Sequence, residues 1–290
     1  MTDDPFVTHR GLLFTVAYEM LGSAGDAEDV VQEAWLRWSG VDQASVADPR
    51  AYLVRVVGRL ALNRLRALSR SREDYVGDWL PEPILTAPDV ADDVELAESV
   101  SMAMLTVLET LGPVERAVFV LREVFDTPYD EIAASVDRSP AAVRQIAHRA
   151  REHVAARRPR MQVGRAEQRA VVDRFLAAVE TGDLDGLLSV LAPDVVVVSD
   201  GGGRAPAARK PIVGAERVAR AILTGFGRTT GERVVSTASI NGGTGACLHL
   251  DGVLRAAIVL TVEAGRVARI HAVSNPDKLA RLDEETLLVR

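Results

Sequence analysis

The sequence has a single cysteine, Cys247, among its 290 residues, so no disulfide can form within the chain. This is typical of a reducing compartment. Aromatic residues make up only 4% of the chain, so any core must consist mainly of Ala, Val and Leu. No apolar stretch approaches the roughly 18 residues that a membrane helix needs. The N-terminus, MTDDPFVTHRGLLF, does not read as a secretory signal. These deficits predict a cytoplasmic protein without a membrane partner, and we expect it to be monomeric when free.

Positive charge is scarce overall but concentrated in two blocks. The net charge is -7, yet residues 50–72 hold seven arginines and no acid, and residues 138–160 hold seven arginines and only Glu152. Residues 73–98, which lie between the blocks, hold nine acids and no base. Two basic elements separated by an acidic spacer predict two contacts with one polyanion.

The first third of the chain has helical periodicity. The segment DAEDVVQEAWLRW carries acids near its start, where the helix dipole favours them. Asp48 and Pro49 then provide a capping residue and a first-turn proline for a third helix. Polar residues recur at helical spacing and so share one face of that helix: Arg55, Arg59, Asn63, Arg66 and Arg70.

Residues 129–158 predict a helix-turn-helix. A short helix from Tyr129 is followed by a turn at Asp137 and Arg138, and Ser139 caps a longer basic helix. Arg144, Gln145 and His148 lie near the start of the basic helix, where arginine can pair with guanine and glutamine with adenine. Arg149 and Arg151 would instead hold phosphates. Two packed helices with a solvated arginine face are the plainer interpretation. The residues that we expect to face DNA are Ser139, Arg144, Gln145, His148, Arg149 and Arg151.

The last 125 residues change to an α+β pattern. A helical pair interrupted at Gly182 is followed by β-branched runs at 195–199, 233–240, 255–263 and 266–273. Helices followed by strands predict an antiparallel sheet packed against helices.

Two of these segments resemble a known family. GDAEDVVQEAWLRW with DPRAYLVRVVGRLALNRLRALSR resembles region 2 of extracytoplasmic-function sigma factors, and LETLGPVERAVFVLREVFDTPYDEIAASVDRSPAAVRQIAHRAREHV resembles region 4. The resemblance implies promoter DNA and the RNA polymerase core enzyme as partners. It implies that the arginine face of the third helix captures the −10 strand, and that the six DNA-facing residues of the helix-turn-helix read the −35 element. It also implies a core-docking helix face of Asp26, Glu28, Asp29, Gln32, Glu33 and Trp35.

The C-terminal third resembles the SnoaL-like branch of the cone-shaped NTF2 fold. Three short stretches, WLPEP at 79–83, DGGGR at 200–204 and NPDKL at 275–279, resemble the subgroup of sigma factors with this appendage. The resemblance implies regulation in cis, through contacts with the linker. The residues assigned to this contact are Trp79, Leu80, Pro81, Asp200, Gly201, Gly202, Gly203, Arg204, Asn275, Pro276, Asp277, Lys278 and Leu279.

Other functions are less well supported. Asp200, His249, Asp251 and His271 are the candidate acid–base residues of a cone-domain enzyme, but they form no recognisable dyad. The sequence shows no metal-ligand spacing and no nucleotide loop, so we expect no metal, no cofactor and no catalysis. A small ligand in the cone is an open alternative, as in a ligand-responsive helix-turn-helix regulator. The acidic helix face argues against such a regulator, because a repressor has no need to dock on polymerase.

The predicted fold class is therefore multidomain. Two all-α sigma domains precede an α+β NTF2-like cone domain. The expected boundaries are 1–74 for region 2, 75–98 for the linker, 99–160 for region 4 and 161–290 for the regulatory domain. The predicted function is an RNA polymerase sigma factor that is modulated in cis by its last domain.

Overall fold

The computed structural model describes residues 4–71, 75–87, 90, 93–157 and 164–290, without the side chains of residues 69–71 and 165. The chain separates into two compact units. The first comprises Met1–Asp74, Asp89–Arg158 and Thr286–Arg290, and the second comprises Tyr75–Pro88 and Pro159–Glu285. None of the helices in the described ranges combines the length and apolarity needed to cross a bilayer.

The first unit is helical. Its elements are α1 (Pro5–Leu21), α2 (Ala24–Trp38), a 3-10 turn (Gln43–Ser45), α3 (Pro49–Ser71), α4 (Val94–Ser99), α5 (Met102–Leu108), α6 (Pro113–Phe119), a π-helical turn (Val120–Val124), α7 (Tyr129–Val136) and α8 (Pro140–Ala155). Helix α1 is the centre of its core, since ten consecutive residues from Leu12 to Leu21 are buried. Helix α2 is amphipathic and buries Ala27, Val30, Ala34 and Trp38.

The second unit is a sheet packed against helices. Its elements are β1 (Leu85–Thr86), α9 (Arg165–Thr181), α10 (Leu184–Val190), β2 (Leu191–Asp200), β3 (Ile212–Val213), α11 (Ala215–Gly227), β4 (Arg233–Ile240), β5 (Gly243–Leu250), β6 (Val253–Glu263), β7 (Arg266–Val273), α12 (Pro276–Leu279) and β8 (Glu285–Thr286). The strand order is β3-β2-β7-β6-β5-β4-β1-β8. An apolar cluster that includes Phe175, Leu187 and Ile270 occupies the space between the sheet and helices α9 to α11.

The predicted antiparallel sheet is wrong in one pairing. Strands β4 to β7 are antiparallel, but β2 runs parallel to β7, with Val198 opposite His271. The sheet is therefore mixed. Strand β5 and helix α11 were not predicted. The sequence of β5, GTGACLHL, contains two glycines and no β-branched run, so only its pairing with β4 and β6 makes it a strand.

The linker proposed at 75–98 is divided between the units. Residues 75–88 belong with the sheet, and the helix that begins at Val94 belongs with the helical unit. Leu80 and Ile84 are buried, and Leu85 pairs with Ile240 of β4. The apolar side chains of this part of the linker are thus held by the second unit. Residues 286–290, which sequence analysis placed in the regulatory domain, group with the helical unit, so strand β8 is divided between the two units after Glu285.

Candidate functional site

Helix α8 presents a polar face to solvent. The Ser139 hydroxyl accepts the amide of Ala142 at 3.2 Å and so caps the helix, while Val143, Ala147, Ala150 and Val154 are buried. Asp137, in the left-handed conformation with φ 56°, makes the turn from α7. All six predicted −35 residues are exposed: Ser139, Arg144, Gln145, His148, Arg149 and Arg151. The structure therefore places them together on one accessible surface.

Two arginines lie over the ring of Tyr129 at the start of this motif. The guanidinium carbon of Arg122 is 5.0 Å from the ring centroid and that of Arg144 is 5.6 Å. Arg122 also donates to the carbonyl of Thr127 at 3.3 Å. Sequence analysis did not predict these contacts, because Arg122 and Tyr129 come from different elements and meet only in the folded chain.

Helix α3 exposes the predicted −10 stripe. Arg55, Arg59, Asn63 and Arg66 are exposed, and the side chain of Arg70 lies outside the described residues. Arg64 points elsewhere, because its Nε donates to Oδ1 of Asp26 at 2.8 Å.

The acidic face of α2 is only partly available. The Asp26 side chain is 17% exposed and pairs with Arg64, and Glu28 pairs with Arg10 at 2.7 Å. The remaining members, Asp29, Gln32, Glu33 and Trp35, are exposed. Trp35 contacts Phe6 edge-on, with ring centroids 5.1 Å apart, and retains 38% exposure. An exposed acidic surface around an aromatic anchor is a plausible protein interface.

The predicted region 2 and region 4 pack directly against each other in the helical unit. A Cβ at Gly58 of α3 would lie 3.3 Å from Cδ1 of Leu121. Arg116 of α6 is 1% exposed and donates to the backbone carbonyl of Glu19 through Nε at 3.0 Å and Nη2 at 2.9 Å. Arg116 also pairs with Glu109. This is a closed arrangement of the two helical regions.

The buried carboxylate of Asp200 is the centre of the linker contact. It accepts the hydroxyl of Tyr75 at 2.6 Å, the backbone amide of Leu80 at 2.9 Å and the ammonium of Lys278 at 2.7 Å. The ammonium of Lys278 also donates to the Leu80 carbonyl and lies 3.9 Å from the ring centroid of Trp79. Burial, together with the hydrogen bond to Asp200, raises the pKa of Tyr75. Sequence analysis did not assign Tyr75 to this contact, although it precedes the WLPEP stretch by only a few residues.

The glycine turn and the start of α12 complete this contact. The Gly202 amide donates to Oδ1 of Asp200 at 3.0 Å, and a Cβ at Gly202 would lie 2.4 Å from Nδ2 of Asn275. Asn275 donates to the Tyr75 hydroxyl at 2.9 Å and caps α12. Arg204 pairs with Asp277 on the exposed side. The structure therefore brings the three predicted regulatory stretches together around Asp200. Pro81 and Leu279 are buried, Pro276 begins α12, and Gly201 and Gly203 belong to the turn.

The four acid–base candidates are not assembled into a catalytic group. Asp200 belongs to the linker contact, and Asp251 accepts the amide of Glu232 at 2.9 Å. His249 pairs with Val234 in the sheet. His271 is fully buried, and burial lowers its pKa to about 3. No group of three His, Cys, Asp or Glu side chains among the described residues could hold a metal. A small ligand in the cone stays a prediction.

Comparisons with known proteins agree with this architecture. Sigma-70 region 2 matches residues 6–71, Sigma-70 region 4 matches residues 101–154, and the SnoaL-like domain matches residues 172–272. The chain is 41% identical to the ECF RNA polymerase sigma factor SigJ of Mycobacterium tuberculosis, over 94% of this chain and 91% of the relative. It is 35% identical to the probable ECF RNA polymerase sigma factor SigI of the same species, over 96% and 94%.

A solved structure matches the whole fold. The crystal structure of M. tuberculosis SigJ superposes with a TM-score of 0.76 at 37% identity, and the match covers 96% of this chain and 98% of that chain. Both helical regions and the SnoaL-like domain are thus present in a relative of matching length. The chain belongs to the extracytoplasmic-function sigma factors, the subunits that direct RNA polymerase to promoters and initiate transcription, and it carries a SnoaL-like domain after region 4.

Proposed function

We propose that three surfaces of this sigma factor divide promoter recognition, within boundaries of 1–74 for region 2 and 99–160 for region 4. The exposed face of α8 reads the −35 element, the arginine face of α3 binds the −10 strand, and the exposed part of the α2 face docks on core polymerase. The exposure of these three residue sets supports the assignment.

Within the α2 face, docking depends chiefly on Asp29, Glu33 and Trp35. Asp26 and Glu28 pair with arginines of neighbouring helices, and only 17% and 34% of their side chains are exposed, so they orient the helices more than they contact a partner. Asp29 and Glu33 also lie near arginines, Arg64 and Arg37, but 68% and 53% of their side chains are exposed to a partner. Replacing Asp29 and Glu33 together by Lys should abolish binding to purified core polymerase. Replacing Asp185 and Glu263, two acids of the SnoaL-like unit, by Lys makes the same charge change and should leave binding intact. Equal binding by both double variants would contradict the proposed docking face.

We further propose that residues 161–290 regulate the sigma factor in cis by holding the linker 75–98. The observation that carries this proposal is the Asp200 network, in which one buried carboxylate binds Tyr75 and Leu80 of the linker and Lys278 of α12. A linker held at these points restricts how far region 2 and region 4 can separate. The two regions must separate to reach different promoter elements.

Trp79 offers a direct test, because its ring faces the ammonium of Lys278. The change Trp79→Ala removes this contact, whereas Trp79→Phe keeps an aromatic face. Initiation by reconstituted holoenzyme should change several-fold for Trp79→Ala and much less for Trp79→Phe. Core binding, measured in parallel, separates linker regulation from loss of polymerase docking. Wild-type initiation by Trp79→Ala on every template of a randomised promoter library would contradict regulation through the linker.

A further inference from the structure

The last residues of the chain fold with the helical unit and contact α1. Leu288 is 5% exposed, and the amide of Val289 donates to the hydroxyl of Thr15 at 3.1 Å. That hydroxyl in turn donates to the carbonyl of Gly11 at 2.9 Å. Residues 287–290, which we call the C-terminal tail, are thus hydrogen-bonded to a side chain of α1 that is itself fixed by the α1 backbone.

Gly11 makes room for the tail. A Cβ at this position would lie 3.0 Å from Cγ2 of Val289 and 3.5 Å from Cδ2 of Leu287. Glycine inside a helix is unfavourable relative to alanine, since it gains more freedom on unfolding. Its presence in the middle of α1 is explained by the close approach of the tail.

The terminal arginine connects the tail to a second element. The guanidinium of Arg290 pairs with Glu95 of α4. The hydrogen bond and charge of Glu95 raise the pKa of Arg290, and the charges of Asp93 and Asp126 add to this effect. Because α1 belongs to region 2 and α4 leads into region 4, the tail contacts both sides of the closed arrangement.

We propose that the surface of α1 around Gly11 and Thr15, together with Glu95 of α4, is a docking site for the chain's own C-terminal tail, and that the docked tail holds region 2 and region 4 closed. This deepens the proposed regulation in cis and rests on it, but it uses different residues from the linker contact. In the closed arrangement Leu121 packs on Gly58 and Arg116 is buried against Glu19. The tail must leave before the two regions can separate on a promoter.

Charge reversal tests the docking site in the full-length chain. Arg290→Glu and Glu95→Arg each replace the ion pair by like charges, and the double variant restores it in the opposite sense. Hydrogen exchange of the C-terminal peptide should accelerate at least three-fold in each single variant and return towards wild type in the double variant. Arg281→Glu, at an exposed position of the second unit, makes the same charge change and should leave the exchange rate unchanged.

The same variants test the effect on function. Initiation by reconstituted holoenzyme should rise at least three-fold for each single reversal and return to the wild-type rate in the double variant. A chain ending at Thr286 should match the single variants, and its melting temperature shows whether the helical unit stays folded. Unchanged exchange and initiation in both single variants would overturn the proposal. Faster exchange with unchanged initiation would also overturn it, because the tail would then dock without regulating.

The tail and the linker contact can be distinguished. If Trp79→Ala alters initiation and the Arg290 and Glu95 variants do not, linker regulation stands and the tail proposal fails. If only the Arg290 and Glu95 variants alter initiation, regulation through the tail stands and the linker proposal fails.

Discussion

The ammonium of Lys278 lies 2.7 Å from Oδ2 of Asp200, and the Asp200 side chain is completely buried. Two charges removed from water are stable only when both are well paired and hydrogen-bonded. Here the carboxylate also accepts from Tyr75 and Leu80, so the ion pair and the position of the linker depend on each other.

Lys278→Met should destabilise the second unit by about 3–5 kcal/mol, because it leaves a buried carboxylate without its cation. The loss of stability can be measured by denaturant unfolding that is monitored through amide exchange of the linker peptide. Asp200→Asn combined with Lys278→Met removes both charges and should cost less than Lys278→Met alone. A double variant as unstable as the sum of the two single variants would show that the pair is not coupled.

Gly202→Ala should be far more damaging than Gly77→Ala. Both glycines have positive φ, 57° and 87°, so each substitution carries a backbone cost of about 1–2 kcal/mol. Only at Gly202 would the added carbon lie 2.4 Å from Asn275, whereas nothing lies within 4 Å at Gly77. Thermal unfolding of the two variants checks this, and equal losses of stability would refute the steric argument.

Glu19→Gln should remove a pH dependence from the helical unit. Burial raises the pKa of Glu19 to about 8, against 4.5 in the unfolded chain. The folded state therefore binds a proton that the unfolded state has lost, so stability falls as pH rises from about 4.5 to 8. At about 1.4 kcal/mol per pKa unit, the free energy of unfolding should fall by a few kcal/mol over this pH range. Amide exchange of α1 at pH 6 and at pH 9 should show this loss in the wild type and not in Glu19→Gln.

His271 should give the opposite pH dependence in the second unit. Burial lowers its pKa to about 3 from 6.5, so the unfolded chain gains a proton that the folded chain refuses. The contribution of neutral His271 to stability is present above pH 6.5 and is lost as pH falls towards 3. His271→Leu should make the stability of the second unit less dependent on pH in the acid range. Amide exchange of β7 measures that stability. If the loss of stability at low pH is the same in His271→Leu, groups other than His271 cause it.

Arg144→Ala and Arg149→Ala should weaken promoter binding in different ways. A base-reading arginine loses about 1–3 kcal/mol and relaxes preference at one base pair, while a phosphate-binding arginine weakens all sequences and reduces the salt dependence. Holoenzyme selection from a library randomised upstream of the start site should therefore show a changed base preference only for Arg144→Ala. Binding to one selected template, measured as a function of salt concentration, should show a reduced salt dependence for Arg149→Ala. Identical preferences for both variants and the wild type would contradict base readout by Arg144.

Local sequence rules predicted much of the helical unit. Asp48 precedes Pro49 at the start of α3, and Ser139 caps α8, because short polar side chains satisfy the first amides of a helix. The exposed faces of both helices follow from helical spacing. The contacts of Arg122 with Tyr129 and of Tyr75 with Asp200 were not predicted, since they join residues with no periodic relationship.

The sequence alone determined the two basic helices, the acidic helix face and the change to an α+β pattern, since these depend on charge and periodicity between near neighbours. Only the tertiary structure decided the parallel pairing of β2 with β7, the burial of Asp200 beneath the linker and the return of the C-terminal tail to α1. Each of these joins residues about 70 or more positions apart. Such contacts depend on packing and desolvation in the folded chain, which local propensity does not encode.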